Sequence, residues 1–157
     1  MISLLNSKDS KELDNYTIRE SRISRDKLID NAGKSIAYHI IEKTSNPFKK
    51  KILCVAGLGD NGLDAIVCSS YLNKNKVSAD LLVIEPEKVN SKYLNLYVKN
   101  KYFLFTDDIK FNQYDLIVDG IFGTGLNRSI ESMYLAVAKK LSSCKSILSI
   151  DIPTGIY

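Results

Sequence analysis

The sequence contains little histidine and cysteine, which limits the chemistry that it can support. Its single histidine, His39, lies within a segment of helical periodicity, where a packing or surface role is favoured over catalysis. Its three cysteines, Cys54, Cys68 and Cys144, are far apart and form no Cys-x-x-Cys pair. This pattern argues against a disulfide framework and favours buried thiols in a reducing compartment.

Long apolar runs and long basic runs are also missing from the chain. No stretch approaches the ~18 apolar residues of a membrane span. The apolar start turns polar after five residues, which is too short for a signal peptide. The net charge of +4 comes with scattered lysines, a distribution typical of solvated surfaces. We therefore expect a cytoplasmic protein that binds neither membranes nor nucleic acids.

Segments of strand length and segments of helical periodicity alternate along most of the chain. The 157 residues suffice for one domain with its own core. A long helix is predicted over residues 25–43, after a shorter one. The predicted strands then cover 51–56, 79–85, 101–106, 114–122 and 145–151, with helical segments between most of them, including one over residues 91–100. This alternation predicts an α/β fold, a Rossmann-like three-layer sandwich with a parallel sheet preceded by N-terminal helices.

Loops rich in glycine and aspartate follow the first, fourth and fifth predicted strands. In a parallel sheet, ligands bind at the carboxyl ends of the strands, near the point where the strand order reverses. Turn chemistry alone accounts for one such loop. It accounts less well for an aspartate at the end of both the fourth and the fifth strand, Asp119 and Asp151. We therefore predict a ligand site at this edge of the sheet.

The loop after the first strand, "GLGDNGLD", supports two interpretations. Its three glycines have the spacing of a dinucleotide-binding fingerprint, and Glu85 ends the second strand, where a ribose-binding acid is expected. Asp60 and Asp64, however, lie where a pyrophosphate would bind. A carboxylate ~4 Å from another negative charge costs ~4 kcal/mol at an effective dielectric constant of ~20. The loop is therefore better suited to hydroxyls, amides or a cation.

Oxygen donors near the same edge form a candidate cation site. Asn61 supplies an amide oxygen, Asp119 a carboxylate and Thr154 a hydroxyl. Hard oxygen ligands without histidine or cysteine suit Mg²⁺, Ca²⁺ or an alkali ion. A set with few carboxylates and many neutral oxygens favours the monovalent ion.

Several motifs together resemble the NAD(P)H-hydrate epimerase family, whose fold unit is the YjeF N-terminal domain. "VDGIFGTGLNR" matches the family pattern V-D-x-x-F-G-T-G-L-x-R at every specified position. "GLGDNGLDA" is similar to G-x-G-N-N-G-G-D-G, and "IDIPTGIY" is similar to V-D-I-P-S-G-I-D. Near the N-terminus, "KELDNYTI" and "LIDNAG" resemble M-x-x-x-D-x-x-x-I and M-E-N-A-G. The resemblance extends over nearly the whole chain.

The resemblance implies a role in repairing nicotinamide cofactors. Members of the family interconvert the R and S epimers of hydrated NADH and NADPH, and a partner dehydratase consumes the S form. The family binds one K⁺ per subunit, and the corresponding ligands here are Asn61, Asp119 and Thr154. The corresponding substrate contacts are Asp60, Asn61, Gly62, Leu63, Asp64, Gly123, Thr124, Gly125, Leu126, Asn127, Arg128, Ser129 and Asp151.

The epimerisation needs a group that handles a proton and steadies a cation-like intermediate. A carboxylate can do both, and we expect Asp151 to be the catalytic residue, with Asp64 as the second choice. Arg128 either contacts the phosphates of the cofactor or lies on the surface.

The sequence departs from the family pattern at several positions. Leu63 and Ala65 replace glycines, and Asp60 replaces an asparagine. The family continues for several strands beyond Tyr157, which predicts one domain over residues 1–157 that lacks the last strands. We expect an exposed sheet edge, a homo-oligomer, and impaired substrate binding caused by Leu63. Two alternatives remain, a non-catalytic ligand-binding or interaction module and a fragment of an NAD-binding oxidoreductase.

Overall fold

The computed structural model describes residues 7–20, 22–98, 102–106, 108–124 and 132–155. Two N-terminal helices, α1 (Ser7–Glu20) and α2 (Arg25–Lys43), precede the sheet. The strands are β1 (Lys51–Ala56), β2 (Ser78–Val83), β3 (Phe103–Leu104), β4 (Leu116–Gly120) and β5 (Ile147–Ser149). The later helices are α3 (Asp60–Lys74), α4 (Ser91–Tyr93) and α5 (Ser132–Leu141). The strand order is β3-β2-β1-β4-β5, and every pairing is parallel.

The sheet is buried between two helical layers. In β1, the side chains of Ile52 and Cys54 pack in a cluster that also contains residues of α2 and α3. The alternating residues Leu53 and Val55 pack in a second cluster, with Val137 of α5. Because successive strand residues point to opposite faces, a continuous apolar run is what a doubly covered strand requires. The predicted three-layer α/β fold is confirmed.

Helices α2 and α3 pack closely on one face of the sheet. A Cβ atom on Gly33 would lie 2.5 Å from the Cβ of Val67, so only glycine permits this approach. Helix α2 begins with Ser24 as its N-cap, whose hydroxyl accepts a hydrogen bond from the Lys27 N–H at 3.2 Å. The glycine thus brings the middle of α2 close to α3, and the cap defines where α2 begins.

The segment after β2 differs from its predicted form. A helix was expected over residues 91–100, whereas the structure has one turn of α-helix followed by a π-helix, Leu94–Val98. Two of its tyrosines are anchored to α2: the Tyr93 hydroxyl donates to Asp26 at 2.6 Å and the Tyr97 hydroxyl to Asp30 at 2.9 Å. Burial and the bond to Asp30 raise the pKa of Tyr97 to about 12. These contacts hold the segment against α2.

Both edge strands are shorter than predicted. The described part of β3 covers two residues of the expected six, and Phe103 is 52% exposed. Strand β5 covers three residues, and within the described sheet it pairs with β4 alone. Edge strands have one neighbour to bond to, so their pairing ends early. Among the described helices, none has the length and apolarity needed to cross a membrane.

Candidate functional site

Three loops rich in polar groups meet at one edge of the sheet. Strands β1, β4 and β5 are neighbours and run in the same direction, so their carboxyl ends lie side by side. The chain leaves β1 toward β2 on one side and later returns to place β4 on the other. The strand order therefore reverses between β1 and β4, which is where open α/β sheets bind ligands.

Asn61, in the first turn of α3, holds these loops together. Its Nδ2 donates to the carbonyl oxygen of Phe122 at 3.0 Å and to that of Ile150 at 2.8 Å. Phe122 follows β4, and Ile150 follows β5. Because α3 itself follows β1, one side chain joins the ends of three strands. The sequence pointed to Asn61 and to turn carbonyls in "DGIFGTG", which includes Phe122, but gave no sign of the Ile150 carbonyl.

Two of the three glycines in the first loop are required by contacts within the protein. A Cβ atom on Gly57 would lie 2.1 Å from the carbonyl oxygen of Ile121. One on Gly62 would lie 1.9 Å from the carbonyl oxygen of Gly57. A Cβ atom on Gly59, by contrast, would meet nothing within 4 Å. Gly57 and Gly62 therefore allow backbone segments to pack, and Gly59 faces open space.

Asp119, near the end of β4, is a buried carboxylate that is 2% exposed. Its Oδ1 accepts hydrogen bonds from the Ile121 N–H at 3.2 Å and the Thr154 hydroxyl at 2.7 Å. Its Oδ2 accepts from the Ser149 hydroxyl at 3.2 Å and the Thr154 N–H at 2.9 Å. Four donors match the roughly four lone-pair sites of a carboxylate. Asp119 thus joins β4, β5 and the loop after β5 in one network.

Asp151, which follows β5, is exposed and lies in the left-handed region at φ 68°. This conformation costs most non-glycine residues about 1–2 kcal/mol but is more accessible to aspartate, and four other described non-glycine residues also have a positive φ. Its Oδ2 accepts a hydrogen bond from the Thr124 N–H at 2.8 Å. A Cβ atom on Gly123 would lie 2.7 Å from both this oxygen and the Nδ2 of Asn61. Glycine at position 123 thus leaves the space that the Asp151 and Asn61 side chains occupy.

Asp60 forms an ion pair with Arg25, the first residue of α2, and both side chains are 60% exposed. The expected repulsion between this loop and a pyrophosphate counted Asp60 as an unpaired charge, which is wrong. Arg25 was missed because it lies in a different helix, and no local pattern connects it with the loop. Its position at the start of a predicted helix was the one available signal.

The family described as YjeF-related protein N-terminus matches residues 25–157. The chain belongs to this family.

The YjeF-related relatives include single and bifunctional proteins. The chain is 31% identical to the NAD(P)H-hydrate epimerase of Leuconostoc kimchii, an alignment that covers 99% of the chain and 70% of the relative. It is 28% identical to the NAD(P)H-hydrate epimerase of Oenococcus oeni, with 97% and 74% covered. It is 32% identical to the bifunctional NAD(P)H-hydrate repair enzyme Nnr of Dictyoglomus turgidum, of which it spans 32% while 99% of the chain is aligned.

A solved structure shows the same YjeF-related fold. The crystal structure of yeast ynu0 superimposes with a TM-score of 0.75 at 20% sequence identity. The match covers 98% of this chain and 72% of the yeast chain. At this identity, the likeness establishes the fold alone.

The two positions where this YjeF-related chain replaces glycine belong to the core. Leu63 is 5% exposed and Ala65 is fully buried, and both pack in the cluster between α2, α3 and the sheet. The turn of α3 directs the Leu63 side chain into the core and away from the loop, and the expected effect of Leu63 on substrate binding stays a prediction. Ile66 and Val67, three and four residues later, are buried with it. That helical spacing was readable in the sequence.

Asp64 lies in the same turn of α3, one helical turn before Cys68. The pKa of the buried Cys68 thiol is raised by its hydrogen bond with Cys54, by burial and by the charge of Asp64. Asp64 itself is half-buried. Of the other expected contacts, Gly125, Leu126, Asn127, Arg128 and Ser129 lie outside the described residues, as does Tyr157.

Proposed function

We propose that this protein is an NAD(P)H-hydrate epimerase, which interconverts the R and S forms of hydrated NADH and NADPH. The observation that carries the proposal is the exposed carboxylate of Asp151, held in a left-handed backbone conformation at the carboxyl edge of the sheet. Membership of the YjeF-related family, with relatives named NAD(P)H-hydrate epimerase, supports the same reaction.

Asp151 can perform the proton transfers that the reaction requires. The hydrated carbon carries a hydroxyl group next to a ring nitrogen. As a carboxylic acid, Asp151 gives its proton to this hydroxyl, the C–O bond breaks, and the nitrogen lone pair forms a C=N bond. The resulting carboxylate steadies the cationic ring, water adds to the opposite face, and the proton that this water releases returns through solvent to Asp151. Thr124 fixes the carboxyl group by binding Oδ2, and within the described part of the chain no hydrogen bond engages Oδ1, the oxygen that we assign to the substrate.

We also propose that Asn61, Asp119 and Thr154 hold a K⁺ ion. The donor chemistry supports this assignment. Two main-chain carbonyls already converge on the amide of Asn61, and the oxygen and nitrogen of an amide exchange places by rotation. An amide oxygen beside two carbonyl oxygens forms the kind of oxygen cluster that binds a hard cation. When bound, the ion supplies positive charge next to the carboxylates of the site.

A cation at this site would be held mainly by neutral oxygens. Among the described residues, no three His, Cys, Asp or Glu side chains form a metal-binding group. Asp119 would supply the carboxylate by exchanging one of its four protein donors for the ion. Thr154 would supply the hydroxyl and Asn61 the amide. The carbonyls of Phe122 and Ile150 would complete the set.

The wider setting of the reaction remains a set of predictions. The bifunctional relatives are named repair enzymes, and we propose that a separate or fused NAD(P)H-hydrate dehydratase consumes the S epimer. A cytoplasmic location, self-association through the outer edge of β5 and a single domain over residues 1–157 are also predictions.

Glu85 is the acid that would bind the ribose in the alternative interpretation as an oxidoreductase fragment. Its side chain forms an ion pair with Lys88.

Direct measurement of epimerisation tests the proposed function. Purified R-form hydrated NADH is incubated with the protein in K⁺ buffer, and the S form is measured by chromatography. We expect conversion well above the spontaneous rate. Conversion at the spontaneous rate, by protein whose circular dichroism shows an intact fold, would contradict the proposal and favour a non-catalytic binding module.

A further inference from the structure

The ion pair between Arg25 and Asp60 spans two helices at the mouth of the candidate site. Asp60 is the first residue of α3 and directly follows the loop after β1. Arg25 is the first residue of α2. The Nη2 of Arg25 contacts the Oδ1 of Asp60. The guanidinium group is therefore held over the loop that is expected to contact the substrate.

The other charged residues in the first turn of α2, Asp26 and Lys27, bind residues away from the loop after β1. Asp26 binds Lys92 and the buried Tyr93. Lys27 binds Asp30, which also accepts from tyrosine hydroxyls on α3 and the π-helix. Arg25 differs from these residues because its partner belongs to the ligand-facing loop. The contacts of Asp26 and Lys27 hold the first turn of α2 in place, and with it the Cα atom of Arg25.

The pair is open to solvent and to an incoming anion. Both side chains are 60% exposed, and an exposed ion pair of this kind contributes only about 0–1 kcal/mol to stability. A guanidinium has five N–H donors in a planar fork that matches phosphate oxygens. Next to Asp60, Gly59 faces open space, with nothing within 4 Å of a Cβ built there. Among the described residues, therefore, no packed side chain blocks the approach of a phosphate group at Gly59.

The positive charge of Arg25 offsets negative charge in the loop after β1. Asp60 and Asp64 make the loop negative, although an NAD(P)H hydrate carries a pyrophosphate. We propose that Arg25 binds the pyrophosphate of the hydrated dinucleotide and that Asp60 holds its guanidinium in place before the substrate arrives. The identity of this ligand rests on the proposed function. Arg25 would be a specificity-determining residue for the phosphate-bearing part of the substrate.

Binding measurements with and without phosphate test the assignment. The probes are NADH and reduced nicotinamide riboside, which lacks phosphate, titrated calorimetrically into the wild type and Arg25→Gln. We expect the variant to bind NADH about tenfold more weakly, the scale of one charge-assisted contact. Its affinity for the riboside should match that of the wild type. The dependence of NADH affinity on salt should also become shallower.

Lys27→Gln is the matched control, since it removes one positive charge from the same helical turn. An equal loss of NADH affinity in both variants would show a diffuse charge effect and overturn the assignment, as would unchanged NADH affinity in Arg25→Gln. Absence of NADH binding by the wild type would also overturn it. Epimerisation by the wild type is measured separately. A wild type that epimerises while Arg25→Gln binds NADH normally refutes only the role of Arg25, whereas Arg25-dependent binding without epimerisation refutes only the proposed reaction.

Discussion

Asp119 and Asp151 lie at the ends of neighbouring strands, yet the protein surrounds them differently. Asp119 is 2% exposed and accepts four hydrogen bonds from the ends of β4 and β5 and the loop beyond. Asp151 is exposed, accepts a hydrogen bond from Thr124 and lies at φ 68°. Asp119 is thus a buried carboxylate that connects several segments, whereas Asp151 is a solvent-accessible carboxylate on a backbone with positive φ.

The difference separates a structural role from a chemical one. A carboxylate whose lone pairs are all engaged by protein donors can give or take a proton only if that network breaks. A carboxylate fixed through one oxygen keeps the other for a substrate. Backbone strain persists where the surrounding structure enforces it, and such positions cluster at functional sites. We therefore assign to Asp119 the role of holding β4, β5 and the loop after β5 together, which we call the framework, and to Asp151 the proton transfers of the proposed reaction.

Asp151→Asn provides the sharpest test of this comparison. Asparagine has the same shape and tolerates the left-handed conformation, but it cannot transfer a proton. We expect kcat to fall by about 10²–10⁴-fold, while the free energy of unfolding changes by less than about 0.5 kcal/mol. Epimerisation rates and urea denaturation measure the two quantities. A variant that keeps most of its activity would remove Asp151 from the reaction.

The same substitution at Asp119 should reverse this pattern. Asp119→Asn places an NH₂ group among the N–H and hydroxyl donors of Thr154 and Ser149, so buried donors lose their acceptor. We expect a loss of about 3 kcal/mol in stability, which lowers Tm by about 6–12 °C for a chain of this size. Scanning calorimetry of both variants makes the comparison direct. Equal stability of the two would show that burial does not distinguish the aspartates.

The sequence predicted the sheet and the edge that carries the site, but not this division of roles. Buried strands are recognisable because both faces are apolar, as in β1. The surroundings of Asp119 and Asp151 depend on contacts with Thr154, Ser149 and Thr124 that no local spacing encodes. The pair of Arg25 and Asp60 likewise joins two distant helices. The orientation of Leu63 was missed because a family glycine suggested ligand contact, although the phase of the helix placed the side chain in the core.

Gly123→Ala tests the close packing of Asn61 and Asp151 around residue 123. The new Cβ would lie 2.7 Å from the Oδ2 of Asp151 and the Nδ2 of Asn61, so one of the two side chains must move. Asn61 is held by two carbonyls, whereas Asp151 is exposed and should yield first. We expect kcat/KM to fall about tenfold with a stability loss near 1 kcal/mol. A loss of stability as large as that of Asp119→Asn would mean that Asn61 moves instead.

The smallest expected effect is the change in Tm caused by monovalent cations, which would bind beside Asp119. If K⁺ binds among Asn61, Asp119 and Thr154, it stabilises the folded state by RT ln(1 + [K⁺]/Kd), which grows with the logarithm of the K⁺ concentration. A gain of about 1 kcal/mol corresponds to a Tm that is about 2–4 °C higher in KCl than in choline chloride of equal concentration. Thr154→Val removes the hydroxyl donor and should abolish the difference between the salts. Because this variant also loses a hydrogen bond to Asp119, its Tm should be lower in both salts, and only the difference between them reports on the ion. Equal Tm values for the wild type in the two salts would argue against a cation at this edge and would leave Asp119 as a purely structural carboxylate.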